Sequence, residues 1–353
     1  MKQWQRDYRR LVIKIGSSLF LDDKTIQGVI RQIADLVKHK KKEVVVVSSG
    51  AICCGMSILG LKARPSKLSL LQAVAALGQN ALMNIYRLGL KTQGIECAQV
   101  LLTWEDLNQR QRYLNAKNTL STLIKLGIVP IVNENDTVST EEIKFGDNDR
   151  LSSLVANLIE ADLLIMLSDV DGLLDKDKKE VIRIVSAITP EIWKMAKPSD
   201  KKTSVGGMIT KLEAAQMAID SGIDCVIANG KKKDIISLIL SAPSSAGTLF
   251  LPKKDRLEAR KRWIAFGTKP KGKIYVDKGA KEALVKNFKS LLCPGIIELE
   301  GDFKKGDIVL VADERGEEFA RGITNYSRDD LSKIKGQKPK KEVIHRDNLV
   351  IVQ

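Results

Sequence analysis

Residues 1–250 alternate short apolar runs with longer stretches of helical periodicity, and this alternation constrains the fold more than any other feature. The apolar runs predict six strands, at Leu11–Ile15, Glu43–Val47, Ala98–Leu102, Val129–Val132, Asp162–Leu167 and Cys225–Ala228. The stretches between them predict six helices, at Thr25–Lys38, Lys67–Leu88, Tyr113–Leu126, Arg150–Ile159, Met208–Ser221 and Asp234–Leu240. Such alternation is typical of βαβ units that surround a mainly parallel sheet. We therefore predict an α/β fold for this part of the chain.

The pattern changes after residue 240, where the segment "SAPSSAGTLFLPKKD" is rich in Ser, Pro and Gly and then basic. Together with "KRWIAFGTKPKGK", it predicts a domain boundary and a linker. Short segments bounded by glycine follow, which favour a small β-rich domain built as a barrel or open barrel. The predicted domains are a catalytic domain at 1–255, a linker at 256–272 and a β-rich domain at 273–353.

Cysteine and histidine content argues against two classes of site. The five cysteines have no CxxC spacing and the chain has only two histidines. Disulfide frameworks, zinc centres and histidine general bases are therefore not expected. No apolar run approaches the ~18 residues of a membrane span, and the basic N-terminus lacks a signal-peptide pattern, so we expect a cytoplasmic protein.

Lys14 lies in the middle of the first apolar run, "LVIKIG". An isolated ammonium in an apolar strand is costly, so Lys14 is expected to meet an anion. Three glycine-containing loops follow predicted strands or precede a predicted helix: "KIGSSL", "VVVVSSGAICCG" and "SVGGMITKLEAAQMAI", the last with Lys211. Helix N-termini carry free N–H groups and partial positive charge, which suit phosphates. The GxxxxGK[ST] and GxGxxG signatures are absent from the sequence.

Acidic and amide residues cluster where predicted strands end or helices begin. The segments are "IVPIVNENDTV", "IKFGDNDRLSSLVANLI" and "LLIMLSDVDGLL". The simpler interpretations are an N-cap for Asp149 and a turn at Asp171-Gly172. However, open α/β sheets bind ligands at the carboxyl ends of their strands. Two lysines at that edge would supply the positive charge that phosphoryl transfer needs.

The segments "VIKIGSS", "VVSSGAI", "IVNENDTV", "FGDND", "MLSDVDGL" and "VGGMITK", in this order, closely resemble the amino-acid kinase family. "NEND", "GDND" and "RYLNAKNTL" look like the glutamate 5-kinases within that family, which often carry a C-terminal PUA domain. The resemblance implies a three-layer αβα fold with a mainly parallel central sheet, followed by a small PUA-like domain. One difference is Val205, where the family often has threonine.

The resemblance also implies an activity, namely ATP-dependent phosphorylation of the side-chain carboxylate of L-glutamate to L-glutamyl 5-phosphate, the first step of proline biosynthesis. It implies catalytic roles for Lys14, Lys211 and Asp149, with Asp149 holding the two lysines in place. It implies glutamate contacts at Ser49, Asp136 and Asn148. The implied ATP contacts are Lys14, Ser168, Asp169, Val205, Gly206, Gly207, Met208, Ile209, Thr210 and Lys211.

The implied cofactors are ATP and Mg²⁺, and no protein ligand for the metal is predicted. The implied partners are proline, as a feedback inhibitor, and further copies of the chain in a homo-oligomer. Two alternatives remain open. Another kinase of the family, such as an acetylglutamate kinase, would share the phosphate apparatus. The C-terminal part, with 24 Lys+Arg against 16 Asp+Glu in residues 253–353, could bind RNA, although its aromatic residues are scattered.

Overall fold

The structure is a computed structural model that describes residues 6–138, 148–177, 179–196, 207–252, 261, 264–265, 270–334 and 341–352. The chain divides into two compact units, Met1–Arg256 and Leu257–Gln353. The predicted division into a catalytic domain at 1–255, a linker at 256–272 and a β-rich domain at 273–353 remains a prediction.

The first unit is built on an eight-stranded sheet, counted over its described residues. The strands are β1 Arg10–Ile15, β2 Glu43–Ser48, β3 Cys97–Leu102, β4 Val129–Glu134, β5 Leu163–Ser168, β6 Ile184–Val185, β7 Asp224–Asn229 and β8 Gly247–Phe250. Their order across the sheet is β3-β4-β2-β1-β5-β7-β8-β6. Neighbouring strands from β3 to β7 are parallel, and β8 runs antiparallel to β7. The prediction of a mainly parallel sheet is confirmed.

Helices cover both faces of this sheet. They are α1 Asp23–Lys38, α2 Ala51–Ile58, α3 Leu68–Lys91, α4 Trp104–Asn108, α5 Arg110–Lys125, α6 Asn148–Leu158, α7 Pro190–Met195, α8 Met208–Asp220, α9 Ile235–Ser241 and α10 Pro243–Ala246. Leu11, Ile13 and Ile15 of β1 share a core with α1, α3 and α9. Side chains alternate along a strand, so Lys14 points to the opposite face, where it meets α6. The result is the predicted three-layer αβα arrangement.

Strand β8 lies inside the predicted catalytic domain, in a segment whose composition had suggested a boundary. The sequence placed residues 241–255 in a boundary segment because of their Ser, Pro and Gly content, but Gly247–Phe250 is a fully buried strand of the sheet. Gly247 is required there, since a Cβ atom would lie 2.1 Å from the carbonyl oxygen of Ile227 on β7. The helices α2, α4 and α7 were also missed, because each is too short to show a clear period.

Helix α3 qualifies the expectation that no segment resembles a membrane span. Among the described helices, it alone has the length and apolar composition that a span requires. One such helix is weak evidence for a span. In this structure α3 packs against α1, α2 and β3.

The second unit contains a five-stranded sheet within its described residues. Its strands are β9 Gly272–Val276, β10 Ile296–Gly301, β11 Ile308–Ala312, β12 Glu318–Ile323 and β13 Leu349–Ile351, and its helices are α11 Lys278–Val285 and α12 Arg328–Ile334. The sheet order is β10-β9-β11-β12-β13. Phe303 and Phe319 are fully buried in its separate apolar core. The predicted small β-rich domain is confirmed.

Candidate active site

The predicted site residues gather at the carboxyl edge of the central strands. In the sheet register, Ile15 of β1 lies opposite Ser48 of β2 on one side and Leu167 of β5 on the other. Strands β2 and β4, which follow β1 in the chain, lie on one side of β1, and the later strands β5 and β7 lie on its other side. The strand order therefore reverses direction at β1. Such a switch point opens a crevice beyond the strand ends, which is where open α/β sheets hold ligands.

An ion cluster of Lys14, Asp149 and Lys211 lies beneath this edge. Lys14 Nζ is 2.5 Å from Asp149 Oδ1, and Lys211 Nζ is 3.2 Å from Asp149 Oδ2. Thr210 Oγ1 donates to the same Oδ2 at 2.8 Å. Asp149 is 2% exposed and each lysine is 6% exposed. The predicted catalytic trio is therefore brought together from β1, α6 and α8.

The three described members of the cluster together carry a net positive charge, because two ammonium groups meet one carboxylate. Burial by itself would raise the pKa of Asp149, but the charges of Lys14 and Lys211 outweigh burial and hold that pKa well below its usual value. Asp149 is therefore ionised across the physiological range. A buried cluster with one excess positive charge suits an anionic ligand.

Local structure explains how α6 and α8 deliver these groups. Helix α6 begins at Asn148, so Asp149 lies inside its first turn and is not the N-cap that the simpler interpretation proposed. Helix α8 begins at Met208 and presents Thr210 and Lys211 from its first turn. The two helices contact one another, and Ser153 Oγ donates to the carbonyl oxygen of Ala214 at 2.7 Å. Buried bonds of this kind keep the two first turns side by side.

The predicted glutamate contacts lie around the strands next to this cluster. Asn148 is 8% exposed, and its Nδ2 donates to Asn133 Oδ1 of β4 at 3.1 Å. Ser49 follows β2, and its backbone N–H donates to the carbonyl oxygen of Ile15 at 2.9 Å. The next residue, Gly50, adopts a φ of +113°, which favours glycine and starts α2 directly after the strand.

Asp136 lies just past β4 and is half-buried. Burial raises its pKa to about 6, and the nearby charge of Arg64 partly offsets that rise. Asp136 is therefore a carboxylate whose charge changes within an accessible pH range. Arg64 was not among the predicted site residues, because it lies in the segment between α2 and α3, far from the recognised motifs.

The predicted nucleotide contacts are described in part. Ser168 ends β5 and is 5% exposed, and its Oγ has no hydrogen-bond partner within the described part of the chain. Asp169 follows it and is half-buried. Gly207 precedes α8, whose first turn contains Met208, Ile209, Thr210 and Lys211. Val205 and Gly206, which the sequence also predicted, lie outside the described residues.

A separate basic cleft opens between α1 and the loop that follows β7. It contains none of the predicted site residues. Its charged lining residues are Lys24, Arg31, Asp35, Lys231, Lys232, Lys233 and Asp234. Lys232 forms an ion pair with Asp171 at 2.7 Å, so the Asp171-Gly172 turn is tied to this loop and not to the buried cluster.

Models of two known protein families match parts of the chain. Residues 9–229 match the model of the amino acid kinase family, which is more than half of the chain. The chain belongs to the amino acid kinase family. In this amino acid kinase, residues 272–345 also match the PUA domain.

Several curated relatives align with this amino acid kinase over almost their whole length. A protein of Caldanaerobacter subterraneus subsp. tengcongensis is 46% identical, with 98% of each chain covered. A protein of Moorella thermoacetica is 44% identical, with 98% of this chain and 96% of the relative covered. A protein of Dehalococcoides mccartyi strain 195 is 45% identical, with coverage of 98% and 99%. All three are named glutamate 5-kinase.

A solved structure, carbamate kinase from Giardia lamblia bound to AMP-PNP, has a similar fold. Its TM-score is 0.50 at 15% sequence identity, with 70% of this chain and 99% of that chain covered. At this identity the likeness supports the fold alone. The predicted family resemblance and fold class of this amino acid kinase are confirmed.

Proposed function

We propose that this protein transfers the terminal phosphoryl group of ATP to the side-chain carboxylate of L-glutamate, and so forms L-glutamyl 5-phosphate, the first step of proline biosynthesis. The structural observation that carries the proposal is the convergence of Lys14 and Lys211 on buried Asp149 at the sheet's carboxyl edge. The near full-length match to relatives named glutamate 5-kinase supports the choice of substrate.

The chemistry requires charge compensation more than proton transfer. A side-chain carboxylate has an ordinary pKa of about 4.3, so the nucleophile is already ionised at neutral pH and needs no general base. The difficulty is that one anion must attack another. Lys14 and Lys211 place positive charge where the phosphoryl group acquires negative charge during transfer. In this proposal both lysines are catalytic and contact phosphate.

Asp149 acts as a positioning residue in this mechanism. Its two oxygens contact different lysines, so a single carboxylate fixes the positions of both ammonium groups. The hydroxyl of Thr210 also donates to this carboxylate, and the bond restrains rotation of the carboxylate. Because the buried contacts already hold these groups in place, little free energy is spent on rearranging them when ATP binds.

The remaining predicted contacts divide between the two substrates. Ser49, Asp136 and Asn148 are proposed to bind glutamate, with Asp136 as a partner for its α-ammonium. Ser168, Asp169 and residues 205–211 are proposed to bind ATP. The buried Ser168 hydroxyl supports its assignment, because it lacks a hydrogen-bond partner among the described residues.

Mg²⁺ is proposed to accompany the nucleotide. Among the described residues, no three His, Cys, Asp or Glu side chains lie together as a metal site, and Asp149 is engaged by two lysines. The side chains described therefore do not form a dedicated magnesium cage, and the ion would be held mainly by phosphate oxygens and water. When bound, it would supply further positive charge.

Further properties of the proposed enzyme are feedback inhibition by proline, assembly into a homo-oligomer and a cytoplasmic location. Proline shares an α-carboxylate and an α-nitrogen with glutamate, so it could occupy an overlapping site that includes Asp136. Overlap predicts inhibition that competes with glutamate and not with ATP. Inhibition that persists at saturating glutamate would instead indicate a separate site.

A hydroxamate assay tests the proposed function directly, because hydroxylamine traps an acyl phosphate. We expect product that depends on both ATP and L-glutamate, and little product with N-acetylglutamate, aspartate or carbamate. Preference for N-acetylglutamate would assign the chain to a different activity of the family. Salt-dependent filter binding of RNA to the full chain would test the alternative role of its basic C-terminal unit.

A further inference from the structure

A chain of three amide side chains connects α3, β4 and α6 at the edge of the candidate site. Asn148 Nδ2 donates to Asn133 Oδ1 at 3.1 Å, and Asn133 Nδ2 donates to Gln79 Oε1 at 2.7 Å. Asn133 is 1% exposed and Asn148 is 8% exposed. Asn148 is one of the predicted site residues, whereas Gln79, in the middle of α3, is not.

One backbone group fixes the orientation of all three amides. The N–H of Glu134 donates to Asn133 Oδ1 at 2.9 Å, and a backbone N–H can only donate. Asn133 Oδ1 is therefore the acceptor, so Asn148 must present its NH₂ group to it. Asn133 Nδ2 is then the donor to Gln79, which must present its oxygen. The chain of bonds has one direction.

This direction decides which atoms remain at the two ends. At one end is Asn148 Oδ1, an acceptor, and at the other is Gln79 Nε2, a donor. Both atoms are buried, and neither has a hydrogen-bond partner among the described residues. Buried polar atoms are normally hydrogen-bonded, so a donor and an acceptor left over at the ends of one chain indicate a ligand.

The acceptor and the donor at the two ends match the hydrogen-bonding types of an α-amino acid headgroup. An α-ammonium can only donate, and it suits Asn148 Oδ1. An α-carboxylate can only accept, and it suits Gln79 Nε2. Asn148 is followed directly by Asp149, which contacts Lys14 and Lys211. The residue that would bind the amino-acid headgroup, Asn148, and the residue that positions the two lysines, Asp149, are therefore neighbours at the start of α6.

We propose that Gln79 is a specificity-determining residue whose Nε2 donates to the α-carboxylate of the amino-acid substrate, while its Oε1 orients Asn148 through Asn133. This assignment rests on the proposed function, since it requires an amino acid as phosphoryl acceptor. It adds a residue of α3 to a site otherwise built from strand ends and the first turns of α6 and α8.

The substitution Gln79→Glu tests the donor with little change in shape. A glutamate at this position keeps an oxygen that can accept from Asn133 Nδ2. It replaces the Nε2 donor with an anionic acceptor, which repels an α-carboxylate. L-isoglutamine, in which the α-carboxylate is an amide and the side-chain carboxylate is intact, can instead donate to that new acceptor.

The measurement is kcat/KM for L-glutamate and for L-isoglutamine in the hydroxamate assay, with wild type and Gln79→Glu compared. We expect the variant to lose at least about tenfold with L-glutamate and to shift the ratio of the two substrates by at least about tenfold toward L-isoglutamine, as expected when a bond to a charged group is replaced by repulsion. The matched control is Asn80→Asp, the same amide-to-carboxylate change at the next, exposed position of α3, and it should leave the ratio unchanged.

Equal losses with both substrates would overturn the proposal, because a purely structural role affects both alike. An equal ratio shift in Asn80→Asp would also overturn it, since the effect would then be one of remote charge. If Gln79→Glu does not fold, Gln79→Met replaces it. That variant should lower kcat/KM for L-glutamate and leave unchanged the inhibition constant of 4-aminobutyrate, which lacks the α-carboxylate. An altered constant for 4-aminobutyrate would contradict the contact.

Binding separates this proposal from the proposed function. L-glutamate should raise the melting temperature of the wild type, and Gln79→Glu should abolish most of that rise. A rise that persists in the variant would overturn the Gln79 contact whether or not the wild type is active. A wild type that binds L-glutamate through Gln79 but forms no acyl phosphate would support the contact and refute the kinase assignment alone.

Discussion

The ammonium of Lys14 lies 2.5 Å from the carboxylate of Asp149, and both side chains are buried. One group comes from the central strand β1 and the other from the first turn of α6. The lysine in the apolar strand therefore already has an anionic partner within the protein. That partner serves Lys211 as well, so two ammonium groups share one described carboxylate.

The pairing changes what is expected of Lys14→Met. For an isolated buried charge, its removal would raise the stability of the protein. Removal of one member of a buried ion pair is instead destabilising. We expect Lys14→Met to abolish turnover and to lower the melting temperature, measured by calorimetry without ligands. A variant that melts higher than wild type would indicate that the Asp149 contact contributes no net stability.

Lys211→Ala should lower kcat by about 10²–10³-fold, which is the usual effect of removing one group that stabilises transition-state charge. The fold should survive, because Asp149 keeps its contact with Lys14. The control is Lys125→Ala, at the exposed end of α5, which should have wild-type kinetics. Steady-state kinetics with both substrates saturating is the measurement, and a near-normal kcat in Lys211→Ala would refute its catalytic role.

Asp149→Asn should be less stable than Lys211→Ala, because it leaves two buried ammonium groups without their shared carboxylate. Loss of one partner of a buried pair typically costs about 3–5 kcal/mol. The pKa of Asp149 in the folded state lies below its ordinary value of 3.8, so its charge stabilises the fold above about pH 4 and the contribution is lost as pH falls through the folded pKa. The melting-temperature gap between wild type and Asp149→Asn should therefore narrow below pH 4. For the exposed control, Asp177→Asn, the gap should stay small at every pH.

Asp136 should give the enzyme an acidic pH limit. Its pKa is about 6, so it becomes protonated as pH falls below that value, and a protonated carboxyl binds an α-ammonium poorly. We expect kcat/KM for glutamate to fall below about pH 6. Asp136→Asn should lower kcat/KM for glutamate at neutral pH, while the KM for ATP changes little.

The charge of Arg64 lowers the pKa of Asp136, so Arg64→Ala should move the acidic limb of the pH profile to higher pH. Arg64→Lys should largely restore the wild-type profile. Coincident pH profiles for wild type and Arg64→Ala would contradict this coupling.

A chain that ends at Arg262 should fold and retain turnover. The first unit has its own sheet and apolar core, complete through β8, and every described site residue lies within it. Regulation by proline or assembly could change, since the second unit is absent. The measurements are kcat/KM for glutamate and the melting curve. A soluble, cooperatively folded truncation without activity would show that the second unit completes the active site.

The sequence alone determined the elements of the first unit with long, regular patterns. The central apolar runs and the amphipathic stretches correspond closely to β1, β2, β4, α1 and α8, because burial on one face imposes a local period on neighbouring residues. Strand β8 was missed because its four residues are too few for a pattern, and only pairing with β7 makes them a strand. Helix α5 begins at Arg110, earlier than predicted, because its first turn is polar.

The motifs likewise predicted that Lys14, Asp149 and Lys211 lie together, as the structure shows. Only the tertiary structure decided how they act on one another. The depressed pKa of Asp149, the raised pKa of Asp136 beside Arg64 and the direction of the Gln79–Asn133–Asn148 chain all depend on groups from separate elements. Periodicity is a property of one segment, whereas burial and electrostatic interaction depend on distances that exist only after the sheet and its helices have packed.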